Sequence, residues 1–189
     1  MSERLYGPEH PTVIEARQEY ALNLSAMGRW DEAETHLRTA LAAAERSLGP
    51  DHQRTAQIAG AMAGVLEAEG RYGEAVAYRQ RSLEEKERRH ETRDHAGVLS
   101  SLVEVGRVLT HAGREREADD YLTQADGMAV RLGSDQVVYR ISFDLSRGML
   151  AAADGDFDTA EQHFLFAIQL CDEVLSRPSH RFATGTKFE

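Results

Sequence analysis

Eight histidines, one cysteine and 32 acidic side chains are the groups of this chain that could ligate a metal, attack a carbonyl or move a proton. His90, Glu91, Asp94 and His95 lie close together in sequence. Imidazole and carboxylate donors at such short range could hold zinc. The spacing H-E-x-x-H, which sets two imidazoles on one helical face beside a general base, does not occur. The group falls in a charge-dense segment between helical stretches, so a solvated surface is the plainer reading and no metal is expected. Cys171 has no histidine at a patterned spacing and reads as a buried, inert thiol. No glycine-rich phosphate loop and no nucleophile elbow is present. His10, His52 and His180 recur at the same place ahead of successive helical stretches, which suits a structural turn role. The chain is therefore read as a non-enzyme without cofactors.

The elements that carry these residues are set by repetition. Gly28-Arg29-Trp30-Asp31-Glu32-Ala33 returns as Gly70-Arg71-Tyr72-Gly73-Glu74-Ala75, as Gly113-Arg114-Glu115-Arg116-Glu117-Ala118 and as Gly155-Asp156-Phe157-Asp158-Thr159-Ala160, at steps of 42, 43 and 42 residues. A fixed period of this size marks an array of structural repeats. Gly7-Pro8-Glu9-His10-Pro11 and Gly49-Pro50-Asp51-His52 break the chain between units. The first unit predicts helices over about 12–27 and 31–48. Their apolar stripes at three- and four-residue steps are Val13, Ala16, Tyr20, Leu24 and Met27, then Ala33, Leu37, Ala40, Leu41, Ala44 and Leu48. Asp31 and Glu32 suit the positive end of the second helix dipole. The second unit predicts about 55–69 and 73 to the high eighties. Glu84 to Glu91 has no breaker, which leaves that helix free to run on, with Glu84–Arg88 and Glu85–Arg89 in the favourable i, i+4 order. The third unit predicts 95–111 and 115–132, the fourth 134–153 and 156–175. Arg177-Pro178-Ser179-His180 resembles the lead-in of a further unit.

The formal net charge of −10 repels phosphate backbones, so no direct nucleic-acid partner is expected and basic protein surfaces are electrostatically easier. A single cysteine allows no internal disulfide and suits a reducing compartment. No apolar run approaches the ~20 residues of a membrane-spanning helix, and no leader pattern is visible. A cytoplasmic protein without membrane contact is the expectation. No strand pattern appears.

Small residues recur in register around each turn glycine. Seven before it stand Ala21, Ala63, Gly106 and Gly148. Five after it stand Ala33, Ala75, Ala118 and Ala160, and twelve after it Ala40, Ser82, Ala125 and Ala167. Nine after it come Leu37, Leu122 and Phe164, with Arg79 breaking the second copy. These positions resemble tetratricopeptide repeats, in particular the longer type of kinesin light chains and bacterial signalling proteins. The resemblance implies an all-α fold, a right-handed α-solenoid of about four helix-turn-helix repeats forming one array over 1–189, with repeats at about 7–48, 49–91, 92–132 and 133–175 and a partial lead-in or tail at 176–189.

The resemblance also implies that the first helices line a groove for a peptide or partner helix. Carried over position by position, its floor includes Glu15, Gln18, Glu19 and Leu22; Gln57, Gly60 and Gly64; Val103, Glu104, Arg107 and His111; and Leu145 and Met149. The clamp that chaperone-binding relatives use for a C-terminal carboxylate is missing, and Arg107 stands alone, so no preference for free acidic C-termini is expected. Gly60 and Gly64 inside a helix call for compensation, by tight hairpin packing or by close approach of a ligand. Acidic Glu15 and Glu19 and apolar Leu145 and Met149 suit an amphipathic segment with a basic end. The function implied is a protein-interaction scaffold. The alternatives are a peptide- or ligand-sensing regulatory domain, and self-assembly through an uncapped last repeat.

Overall fold

The computed structural model describes residues 7–89, 94–133 and 137–176. They form eight helices: α1 (Pro11–Ala26), α2 (Trp30–Ser47), α3 (Gln53–Ala68), α4 (Tyr72–Arg89), α5 (Ala96–His111), α6 (Glu115–Leu132), α7 (Val137–Ala153) and α8 (Phe157–Ser176). No strand occurs among the described residues. The chain divides into two compact units. One contains α1 to α6 and the other α7 and α8.

Each hairpin closes through the same turn. Gly28, Gly70, Gly113 and Gly155 take φ of 74°, 75°, 70° and 82°, a left-handed conformation that only glycine adopts at little cost. The next residue then donates its N–H back across the turn: Arg29 to the Leu24 carbonyl, Arg71 to Leu66, Arg114 to Leu109 and Asp156 to Ala151, at 2.8–2.9 Å. Carbonyls that the helix end would orphan are satisfied in this way. Side chains then clasp the start of the second helix. Arg29 grips Glu32 with two bonds of 2.6 Å, Arg71 grips Glu74 at 2.7 and 2.8 Å, and Arg114 grips Glu117 at 2.7 and 2.6 Å. The fourth copy has no arginine here. Asp156 instead accepts the Thr159 N–H at 3.1 Å and caps α8.

The lead-in histidines have a defined task. Nδ1 of His10, His52 and His95 accepts the backbone N–H of Thr12, Arg54 and Gly97 at 3.3, 3.0 and 3.0 Å, so one imidazole caps each of α1, α3 and α5. His95 is thereby committed to α5, and Asp94 accepts a forked pair from Arg131 at 2.8–3.0 Å. His90 and Glu91, like His180, lie outside the described residues.

In the first unit α1–α2, α3–α4 and α5–α6 pair as hairpins, and α3 packs on α2 as α5 does on α4. The core is built from the small positions and the large residues they admit. Ala21, Ala33, Ala63, Ala75 and Ala118 are fully buried, with Leu24, Leu37, Ile58, Met62, Leu66, Leu99, Leu109 and Leu122. α1 departs from its expected stripe. Val13, Ile14, Ala21 and Leu24 are buried, whereas Ala16, Tyr20 and Met27 are exposed. The reason is positional. Ala16, Arg17, Tyr20 and Asn23 stand where α3 carries Ile58, Ala59, Met62 and Val65, which face the preceding hairpin, and no described helix precedes α1.

The second unit pairs α7 with α8. Ala160 and Ala167 are buried at the repeat's small positions, and Gly148 lies under the Phe164 ring. Asp144, also buried, accepts from Arg140 at 3.1 Å and faces His163 Nδ1 at 2.9 Å, tying α8 to α7. Cys171 is half-buried, so it is not the fully enclosed thiol expected.

Ion pairs join successive hairpins in the first unit. Glu34 receives Arg71 at 2.8 Å and Glu45 receives Arg81 at 2.6 Å. Arg89 keeps the expected pairing with Glu85 at 3.5 Å. Arg88 instead pairs with Asp51, in the lead-in of its own hairpin, at 2.8 Å.

Candidate protein-binding surface

The first helices α1, α3 and α5 are neighbours in the first unit, tied by side chains that cross between hairpins. Arg54 of α3 reaches Glu15 of α1 at 3.4 Å. Arg107 of α5 donates to Glu67 of α3 at 2.5 Å. The His111 ring stacks on Tyr72 with centroids 4.8 Å apart and planes 18° from parallel.

Glu67 is the hub of this surface. Its side chain is 11% exposed. One carboxylate oxygen accepts from Arg79 Nε at 2.6 Å and the other from Arg107, while Arg79 also donates to Glu104 at 2.9 Å. Burial alone would push the Glu67 carboxyl up. The hydrogen bonds from Arg79 and Arg107, with their charge, outweigh it and hold the group below the ordinary carboxylate value. This cluster accounts for the one break in the apolar pattern of the second helices. Arg79 occupies the place of Leu37 and Leu122 because its guanidinium satisfies Glu67. Arg107 is paired with Glu67. His111 is held below the usual imidazole value by burial and by the Arg107 charge, against an opposing pull from Glu67.

The expected floor residues divide into three groups. Glu15, Glu19, Leu22 and Gln57 are exposed, and Gln18 is half-buried with its Oε1 enclosed. Glu104, Arg107 and His111 belong to the charged cluster. Val103 is 2% exposed and belongs to the core, so it does not line an open floor. On α7, described by itself, Leu145 is 43% exposed and Met149 half-buried.

Between the acidic and the charged ends lies a bare strip on α3. A Cβ built on Gly64 would meet nothing within 4 Å, and one on Gly60 would meet only the Ser82 hydroxyl at 3.5 Å, an ordinary contact. Tight hairpin packing therefore does not explain these glycines. It does explain two others. A Cβ on Gly106 would lie 2.8 Å from Leu122, and one on Gly148 would lie 2.6–2.9 Å from the Phe164 ring. Ala61 and Ala68 extend the strip.

No group of three or more histidine, cysteine, aspartate or glutamate side chains fit to hold a metal ion occurs among the described residues. No described helix is long and apolar enough to cross a membrane. Sequence reasoning missed the Glu67 hub and the repeated arginine clasp. An arginine one residue after each of three turn glycines, with a glutamate three further on, was the available signal for the second.

Helical hairpins closed by one repeated turn, three of them packed in succession in the first unit, define an α-hairpin repeat protein. The tetratricopeptide repeat family model matches residues 16–87 and 55–125, and the chain belongs to that family. Among solved structures it is similar to the nearly identical TPR-like repeats of a kinesin light chain from Podosopora anserina. The identity is 20%, 90% of this chain and 80% of that one are covered, and the TM-score is 0.73. It is also similar to BtubC (BKLC) from P. vanneervenii, with 18% identity, 94% and 70% covered and a TM-score of 0.71. Aspartyl phosphate phosphatase F from Bacillus subtilis matches at 15% identity over 84% of this chain and 49% of that one, with a TM-score of 0.56. No curated protein sequence matches. Tetratricopeptide repeats are protein-interaction scaffolds, and this coarse role holds for this chain.

Proposed function

We propose that the first unit binds an extended peptide or a partner helix along α1, α3 and α5, without catalysis. The observation that carries this is the open strip at Gly60 and Gly64. Each glycine costs about 1 kcal/mol relative to alanine inside a helix. No side chain of the protein fills the space above Gly64, so the compensation is sought in a ligand that approaches the backbone closely. Exposed Glu15, Glu19 and Leu22 on one side favour a segment with a basic end and an apolar contact. On the other side Arg107 is neutralised by Glu67, which removes the only floor cation that could have gripped a free C-terminal carboxylate.

Peptides captured from a proteome digest by the wild-type chain and by Gly64→Leu test this reading. A Cβ at this position meets nothing within 4 Å, so helix content and melting temperature, measured alongside, are expected to be kept. The captured set is expected to be lost. Retention of the same peptides by Gly64→Leu would show that the strip is not where they bind.

A further inference from the structure

The second helices of the first and fourth hairpins carry the same pattern on one face. Counted from their turn glycines, Glu34 corresponds to Glu161, Leu41 to Ile168 and Glu45 to Asp172. In α2 all three are engaged by the following hairpin. Leu41 is 8% exposed with α3 packed on α2, Glu34 accepts from Arg71 Nη1 at 2.8 Å, and Glu45 accepts from Arg81 Nη1 at 2.6 Å. The complement of that face is thus an apolar helical surface flanked by two arginines ten residues apart.

In α8 the same positions are open. Ile168 is 56% exposed, and Glu161 and Asp172 lie in solvent; Leu165, 58% exposed, stands where α2 carries the exposed Arg38. The spacing 161, 165, 168, 172 sets the four residues in one seam, an apolar pair between two carboxylates. α8 keeps a large apolar residue, Ile168, where α2 has the buried Leu41.

The charge pattern selects the occupant. α8 carries Asp158, Glu161, Asp172 and Glu173 and no lysine or arginine. A second copy docked antiparallel would set Glu161 against Asp172, and like charges facing each other are repulsive. A cationic helix meets both carboxylates favourably, as Arg71 and Arg81 do on α2. We propose that the Glu161–Leu165–Ile168–Asp172 face of α8 docks a basic amphipathic helix of a partner protein, in the manner in which the arginine-bearing second hairpin covers α2. This surface is on a second helix and is independent of the first-helix strip.

The test uses the full chain and a labelled amphipathic peptide of leucine and lysine about 18 residues long, or five helical turns. Its leucines stand at i, i+3, i+4 and i+7, and a control peptide has glutamate for lysine. Fluorescence anisotropy is expected to show binding of the lysine peptide only, weakening as salt is added. Ile168→Asp, and separately Glu161→Lys with Asp172→Lys, are each expected to weaken it by about tenfold or more, the scale of a lost interface anchor. In a Glu15→Lys, Glu19→Lys background, where the first-helix strip no longer favours a basic segment, the same dependence on Ile168, Glu161 and Asp172 is expected. Circular-dichroism melting checks that the fold is kept. Should Ile168→Asp melt early, the doubly charge-reversed variant gives the answer. Binding that survives both α8 variants, or that is lost with Glu15 and Glu19 instead, overturns the proposal. So does a wild-type dimer in light scattering that Ile168→Asp converts to monomer, since the occupant would then be a second copy.

Discussion

Gly64 and Gly106, both inside first helices, make opposite predictions under the same substitution. At Gly64 the position of a new Cβ is empty to 4 Å, so Gly64→Ala adds no clash. It gains the helix-propensity difference of about 1 kcal/mol. For a chain of this size that raises the melting temperature by roughly 2–4 °C. At Gly106 the new Cβ would lie 2.8 Å from both Cδ2 and Cγ of Leu122, which is fully buried. Overpacking of this kind costs about 1–3 kcal/mol. Set against the same propensity gain, Gly106→Ala should be neutral to about 2 kcal/mol destabilising. The two variants should therefore differ by roughly 1–3 kcal/mol in opposite directions. Urea unfolding followed by circular dichroism reads the midpoints directly, and both sites lie in the same compact unit. If Gly106→Ala stabilises the protein as much as Gly64→Ala, the small residue seven before the turn is not a packing requirement, and the structural reading of the repeat is wrong.

The remaining predictions concern caps, the charged hub and pH. His52→Ala should lower stability by about 1 kcal/mol, whereas His52→Asn, which offers a good capping oxygen, should restore most of it; equal melting temperatures for the two would exclude the capping role. Arg79→Leu and Glu67→Leu, made singly and together, should show a coupling of about 1–3 kcal/mol in a double-mutant cycle, because the pair is mostly enclosed; additive effects would mean the ion pair is incidental. The depressed Glu67 carboxyl gives stability that is present above its ordinary value of 4.5 and lost as pH falls through the lower folded value. His111, also depressed, adds a loss that begins below its ordinary value of 6.5, since the unfolded chain takes up the proton first. Melting temperature should thus fall in acid, and the part of the fall below pH 4.5 should shrink in Glu67→Gln; an unchanged acid limb in that variant would count against the hub.

The hairpins were legible because their signal is local and repeated. Gly28, Ala33 and Ala40 each recur at the step of the array, and backbone conformation and close approach permit few other residues there. The apolar stripe of α1 was misread because burial at Tyr20 and Ala16 depends on a neighbouring hairpin, and sequence periodicity does not say whether one is packed there. Arg79 looked like a defect because its partners, Glu67 and Glu104, lie on two other helices, and pairing between long side chains across helices leaves no spacing rule. Val103 shows the same limit from the other side. Its register put it on the surface of α5, yet it is 2% exposed. Gly60 and Gly64 were legible as an anomaly, while only the coordinates separate them from Gly106 and Gly148, which do pack tightly.

Backbone amide shifts of the isotopically labelled protein, recorded as a captured peptide is titrated in, test the central claim most directly. Binding on the first helices predicts that the largest changes fall on Leu22, Gly60, Gly64 and Arg107, with α2, α4 and α6 little affected. Changes confined to the second helices, with Gly60 and Gly64 unmoved, would contradict it.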